Sequence, residues 1–249
     1  MYVLGIDTST AQTSVCIGGD RGVLASAVLG RAQAHGEFLS PAIRFCLEQG
    51  RVEVDRLAGV AVSLGPGLYT GMRVGIAAAQ AFAHARHLPV VGLGSLDLLA
   101  YEFRYVRDNR MIAAVIDARR GQVFWAFYRP THDGVQRVSE LQVGTPDRLA
   151  GEVEATPEGT LCVGDGAVAH ATRLASARGR VATAWKGSPR AEALVELATP
   201  RFEREETQRP EDLRAIYLRG ADAKISWRKR GALAGGRPAD APPVGSPEG

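Results

Sequence analysis

The chain has 249 residues, 45% of them hydrophobic and 23% charged, with a formal net charge of +3. That length supports one large domain or two small lobes with a core each, and the mild basicity falls well short of a dedicated nucleic-acid surface. No apolar run approaches the roughly 18 residues of a membrane-spanning helix.

The elements follow in chain order. Tyr2–Asp7 reads as a strand ending in the polar turn Asp7-Thr8-Ser9-Thr10, with Thr13–Gly18 as its hairpin partner and Val23–Leu29 as a third strand. His35–Gln49 carries Phe38, Leu39, Ala42, Ile43, Cys46 and Leu47 at helical spacing, with Pro41 near the first turn. Val60–Leu64 is apolar and β-branched enough for a buried strand, and Gly71–His87, rich in alanine, suits a helix. Pro89–Leu93 is a short strand, and Ser95–Phe103 a helix with Ser95 as its N-cap. The pattern then restarts: Met111–Asp117, a turn at Arg119-Arg120-Gly121, and Val123–Tyr128. Two strand meanders with helices behind them predict a duplicated α/β architecture, as in the actin-like ATPase (ASKHA) superfold. The expected lobes are residues 1–108 and 109–228, followed by a disordered Gly/Ala/Pro tail over 229–249.

Between the fourth strand and its helix lies Gly65-Pro66-Gly67-Leu68-Tyr69-Thr70-Gly71-Met72-Arg73-Val74-Gly75. A strand, a glycine turn and a helix N-terminus gather free backbone amides that can hold an anion. The plainer alternative is that the glycines let the helix pack closely on the sheet, since neither the Walker A pattern nor GxGxxG is present.

Cys16, Cys46 and Cys162 are odd in number, far apart and without a CxxC pair, which points to buried thiols in a reducing compartment. The N-terminus runs into a strand without a basic leader, so a cytoplasmic location is expected. Cys16 falls in a strand pattern and Cys46 on an apolar helix face, and neither has a histidine at a spacing that suits nucleophilic catalysis.

The glycine segment strongly resembles the signature of the TsaB (YeaZ) family, the partner subunits of the bacterial machinery that makes threonylcarbamoyladenosine (t6A) in tRNA. Leu68, Tyr69, Met72 and Val74 depart from the usual residues and leave the glycine framework intact. Leu4–Thr10, Ile116–Val123, Gly164-Asp165-Gly166 and Ile216–Arg219 follow in family order.

The resemblance implies a non-catalytic, dimerising and activating subunit of the tRNA threonylcarbamoyltransferase complex. A TsaD-like partner would hold the catalytic site and a TsaE-like ATPase would join the pair. ATP and metal are expected in those partners, with no cofactor in this chain and tRNA met only through the complex. A homodimer in isolation is compatible with this. The alternatives are a stand-alone ATPase or small-molecule kinase of the same superfold, and a protease acting on its partner.

In that superfold two hairpin turns grip phosphate. Asp7, Thr8 and Ser9 have the groups the first one needs, whereas at the second Asp117 is followed by two arginines, which suits an interlobe ion pair or an anion. The related TsaD metal helix carries two histidines where this chain has Ser95 and Leu99, and leucine cannot ligate a metal. His84 and His87 form a lone i, i+3 pair that reads as surface or packing. Arg104, Arg107 and Arg110 around Phe103 and Tyr105 read as a solvated helix end or a phosphate-contacting patch. The family places the partner interface on helices His35–Gln49 and Gly71–Arg86, and the candidates there are Phe38, Ala42, Gly71, Gly75, Ala78, Ala79 and Phe82.

Overall fold

The computed structural model describes residues 1–31, 34–106, 110–182 and 187–219. Arg107 and the tail expected from residue 229 lie outside them.

The first sheet begins with an antiparallel meander, β1 (Tyr2–Asp7), β2 (Thr13–Gly19) and β3 (Gly22–Leu29). Next come β4 (Leu57–Gly65), parallel to β1, and β5 (Val90–Gly94), parallel to β4, giving the order β3-β2-β1-β4-β5. Parallel neighbours need a crossover long enough to return the chain. Helices α1 (His35–Gly50) and α2 (Tyr69–Ala85) supply it. Pro41 sits inside α1, past its first turn, on an exposed position.

Strand alternation sorts the side chains onto two faces. Leu4, Ile6, Val15, Ile17, Val60 and Val62 form one core with Leu39, Ala42 and Cys46 of α1 and Ile76, Ala79 and Ala83 of α2. Val3, Cys16, Ala61 and Val91 point to the other face, where they meet Leu194, Val195 and Ala198 of a helix far down the chain.

The second sheet repeats the plan. The strands β6 (Met111–Arg119), β7 (Gln122–Pro130) and β8 (Val135–Arg137) are antiparallel, with β9 (Gln142–Gly144) also on β7. The strands β10 (Thr160–Val163) and β11 (Gly179–Val181) then add in parallel, giving β11-β10-β6-β7-β8. Meander, then two parallel strands, twice over: this is the duplicated α/β architecture expected of the actin-like superfold.

Five further α-helices lie among the described residues: α3 (Ser95–Tyr101), α4 (Pro146–Glu154), α5 (Asp165–Ala169), α6 (Ala171–Ser176) and α7 (Ala191–Glu203). α3 lays Leu96, Leu99 and Ala100 on Ile112, Ala114 and Ile116 of the second sheet. α4 and α6 cover that sheet's other face through Leu149, Val153 and Leu174. α7, although it follows the second sheet in sequence, lies on the first. Its N-terminal Ala191 amide donates to Ser14 Oγ at 2.8 Å. Residues Met1–Leu218 form one compact unit.

The N-cap expected at Ser95 is corrected. Gly94 occupies the cap position and Ser95 is the first helical residue, fully buried. A buried hydroxyl needs an acceptor, and Ser95 Oγ finds one in the Pro66 carbonyl of the glycine turn.

Candidate functional site

The β1–β2 turn is closed by the chain itself. The glycine loop after β4 lies directly on it: the Leu68 amide donates to the Ser9 carbonyl at 2.7 Å, and Thr8 Oγ1 donates to the Gly71 carbonyl at 2.7 Å. A Cβ at Gly67 would overlap the Ser9 carbonyl oxygen, and one at Gly71 would overlap that of Thr8. Glycine is therefore needed here for close approach. Of the two readings the segment allowed, the packing one holds: an amide at the start of α2 is spent on Ser9, and Thr8, Ser9 and Thr10 are buried.

Asp7 lies beneath, fully buried. Its Oδ1 accepts from Ser9 Oγ at 2.8 Å and from the Ser9 amide at 3.4 Å. Ser63 approaches from β4, yet Asp7 Oδ2 and Ser63 Oγ fall short of hydrogen-bond geometry and have no partner. Burial pushes the Asp7 carboxyl up to about 6, offset in part by Ser63 and Ser9. His35 of α1 closes the side of the cluster, its Nδ1 at 2.5 Å from Thr13 Oγ1, and burial lowers its pKa.

The β6–β7 turn stands open. Arg119, Arg120 and Gly121 are exposed and all have positive φ, at 63°, 55° and 71°. The Asp117 carboxylate accepts from the Arg119 amide at 2.8 Å and pairs with its guanidinium at 3.1 Å. For Arg119 the ion pair expected across the lobes is instead made within the turn, because the left-handed backbone folds its side chain back on Asp117. From below, Asp165 at the start of α5 accepts from the Asp117 amide at 3.0 Å. Burial raises the Asp165 pKa. The motif Gly164-Asp165-Gly166, which follows β10 as the glycine loop follows β4, thus supports the second turn from beneath.

The seven interface candidates divide. Ala42, Gly71, Gly75 and Ala79 are buried within this chain, against its own sheet and the Thr8 turn, and offer a partner no surface. Phe38, Ala78 and Phe82 are half-buried at the outer edge of that core. A second apolar stripe runs along the outer side of α2: Val74, Ala77, Ala78, Ala81, Phe82 and Ala85, all half-buried or exposed. On α1, Phe38, Pro41 and Phe45 continue it, Phe45 being 47% exposed. The i, i+3, i+4, i+7 spacing of both runs was present in the sequence, and the seven candidates mixed residues of the two stripes.

The remaining candidates have structural places. Ser95 and Leu99, at the two metal-helix positions, are core residues. His84 and His87 are exposed at a cavity of about 400 Å³ beside Arg209 and Pro210, and no group of three or more ligating side chains occurs among the described residues. Arg104 stacks over Tyr101 at 4.0 Å and pairs with Glu196 of α7 at 2.8 Å, so it ties α3 to α7. Burial pushes Cys46 up to about 11 and Cys162 up to about 12, and raises Cys16 as well, which leaves all three thiols inert. No helix among the described residues is long and apolar enough to cross a membrane.

Fold and turns together define an actin-like α/β protein whose first phosphate-type turn is filled by its own glycine loop. The family described as "TsaD: tRNA N6-adenosine threonylcarbamoyltransferase" matches residues 23–227. The chain is 28% identical over 235 residues to the Escherichia coli tRNA threonylcarbamoyladenosine biosynthesis protein TsaB, covering 92% of this chain and 98% of that one. An uncharacterized protein of Mycobacterium leprae is 41% identical over 148 residues, which span 58% of this chain and 39% of that protein. The solved structure of YeaZ from Pseudomonas aeruginosa superposes with a TM-score of 0.76 at 26% identity, over 87% of this chain and 99% of that one. The chain belongs to the TsaD family and to its TsaB (YeaZ) branch.

Proposed function

We propose that this chain is a non-catalytic subunit of the complex that forms threonylcarbamoyladenosine in tRNA, pairing with a TsaD-type transferase. The carrying observation is the uncovered second stripe on α2. A helix apolar on two sides belongs between two layers, and among the described residues only the inner layer is present. The filled β1–β2 turn supports the same reading, because Thr8 Oγ1 is bonded to the Gly71 carbonyl and Ser9 Oγ to the buried Asp7. A TsaE-like ATPase completes the assembly, tRNA is reached through the complex, and nucleotide and metal reside with the partners.

The test is co-purification with the TsaD-type protein of the same organism, followed by a transfer assay with and without this chain. Ala81→Glu places a charge on the exposed stripe without touching the core. We expect it to weaken partner binding at least about tenfold, as for a central interface position, with an unchanged circular dichroism spectrum. Binding that survives both Ala81→Glu and Ala78→Glu in folded protein would move the interface elsewhere. ATP hydrolysis by the isolated chain would favour the ATPase alternative.

A further inference from the structure

Two tyrosines stand side by side on the surface at the start of α2. Tyr69, the first residue of that helix, and Tyr217 are 53% and 50% exposed, with ring centroids 5.4 Å apart and planes tilted by 36°. The segment after α7 brings Tyr217 there, fixed to the end of β4 by the Ile216 amide, which donates to the Leu64 carbonyl at 2.8 Å. Arg73, one turn along α2, lies 5.2 Å from the Tyr69 ring centre and donates to the Tyr69 hydroxyl at 2.7 Å. Its remaining guanidinium donors have no partner among the described residues.

This cluster is distinct from the apolar stripe of α2. At about 3.6 residues per turn, Tyr69 and Arg73 point about a third of a turn away from the stripe that runs from Val74 to Ala85. The chemistry differs too, with phenol rings and a guanidinium in place of alanine and phenylalanine. The sequence that continues from Tyr217 is basic. Between residues 219 and 230 stand Arg219, Lys224, Arg228, Lys229 and Arg230 against the single acid Asp222, a larger excess than the net +3 of the whole chain. The mild basicity of the protein is therefore concentrated in one stretch, and Trp227 lies within it. Such charge attracts a phosphate backbone whatever the conformation of the segment that carries it.

We propose that this chain contacts RNA directly, with Tyr69, Arg73 and Tyr217 as a platform for an unpaired nucleotide and the basic run 219–230 as a source of phosphate contacts. Exposed aromatic rings take any base, because every base has a π-face. Arg73 adds a cation–π contribution and spare donors for a phosphate. RNA is read chiefly through unpaired bases stacked on aromatic or arginine side chains. A protein partner would use the rings as anchors in a desolvated pocket, and neither the unspent guanidinium nor the adjacent charge serves that. The identity of the RNA as tRNA rests on the proposed function, and this contact adds to the one made through the complex.

Fluorescence anisotropy of the isolated full-length chain tests it with three labelled probes: an unmodified tRNA transcript, a single-stranded RNA oligonucleotide and an RNA duplex of the same length. Dissociation constants on the order of 10–100 μM are expected for the first two and weaker binding for the duplex. Tyr69→Ala and Tyr217→Ala should each weaken binding about tenfold, with circular dichroism and binding to the TsaD-type protein unchanged. Arg228→Gln, Lys229→Gln and Arg230→Gln combined should lower the slope of log K against log salt by about 2. No binding to either unpaired probe up to on the order of 100 μM, affinity indifferent to both tyrosine variants, equal affinity for the duplex, or an unchanged salt slope would each overturn the proposal. Loss of TsaD-type binding in the tyrosine variants would overturn it as well, by assigning the cluster to the protein interface. A chain that binds RNA through this platform and fails to pair with the TsaD-type protein would uphold it and remove the proposed function instead.

Discussion

The two hairpin turns occupy equivalent places in the repeated topology and have opposite fates. In the first sheet the β1–β2 turn is buried under the loop that leads into α2, with Thr8 and Ser9 bonded to that loop. In the second sheet the β6–β7 turn is supported from beneath by Asp165, and its arginines are exposed. The difference lies in the following crossover. After β4 the chain travels over the turn through residues 66–68 before the long helix α2 begins, whereas after β10 the five-residue α5 starts at once and stays below. One sheet plan can thus turn a phosphate-type hairpin into core or leave it as surface, and the loop decides which.

The largest expected effect comes from reopening the closed turn. Gly71→Val forces a branched side chain into the Thr8 carbonyl, a backbone atom that cannot step aside. We expect a loss of about 3 kcal/mol or more, at or beyond the usual overpacking range, read by urea denaturation. Ala77→Val, one and a half turns further on the exposed side of the same helix, should change stability by less than about 0.5 kcal/mol. Comparable losses at both positions would mean that α2 is not seated on the turn as described.

Asp7 provides the next. Its carboxyl titrates at about 6 in the folded chain, above the ordinary 3.8, because burial disfavours the anion. The folded state therefore holds the proton more tightly than the unfolded one. Stability falls as pH rises through that interval, and above it the full cost of burying the anion is present, about 3 kcal/mol at most. Asp7→Asn keeps an oxygen for Ser9 and offers an amide to the unpartnered Ser63 Oγ. It should abolish the decline between pH 4 and 6 and stabilise the protein at pH 7 by about 1–3 kcal/mol. Asp7→Ala should leave transfer by the assembled complex within a few-fold of wild type. A folded, partner-binding Asp7→Ala protein that loses about a hundredfold in rate would instead return this carboxylate to the mechanism.

These contrasts also mark what the sequence can disclose. The strands from Tyr2 to Tyr128 and their first helices were legible, because apolar alternation and helical spacing are local. The stretch from 131 to 215 was not: β8, β9 and β11 have three residues and α5 and α6 five or six, too few for a period to show. The destination of α7 on the first sheet rests on contacts such as Ser14 with Ala191 that no local pattern contains. The same holds at the candidate site. Asp7-Thr8-Ser9-Thr10 advertises a phosphate grip, and only the fold brings in Gly67 and Gly71, some sixty residues away, to fill it. The partner face was half legible. Helical spacing located α1 and α2, but with two apolar stripes on α2 the pattern alone could not say which faced inward.

The smallest effect is expected at the open turn. Arg119 takes φ 63° without being glycine, a conformation that costs an ordinary side chain about 1–2 kcal/mol. Its ion pair with Asp117 offsets only part of this, since the guanidinium is 57% exposed and such pairs contribute about 0–1 kcal/mol. Asparagine tolerates the left-handed region and adds no flexibility to the unfolded chain as glycine would. Arg119→Asn should therefore leave stability unchanged or raise it by about 0.5 kcal/mol, measured by urea denaturation at low and high salt. The Arg119 amide still donates to Asp117 in the variant, so the turn itself should survive. A loss above about 1 kcal/mol that vanishes at high salt would show that the ion pair outweighs the strain. The two turns would then be alike in being held by their own side chains, and the contrast between a filled turn and an open one would shrink to a matter of exposure.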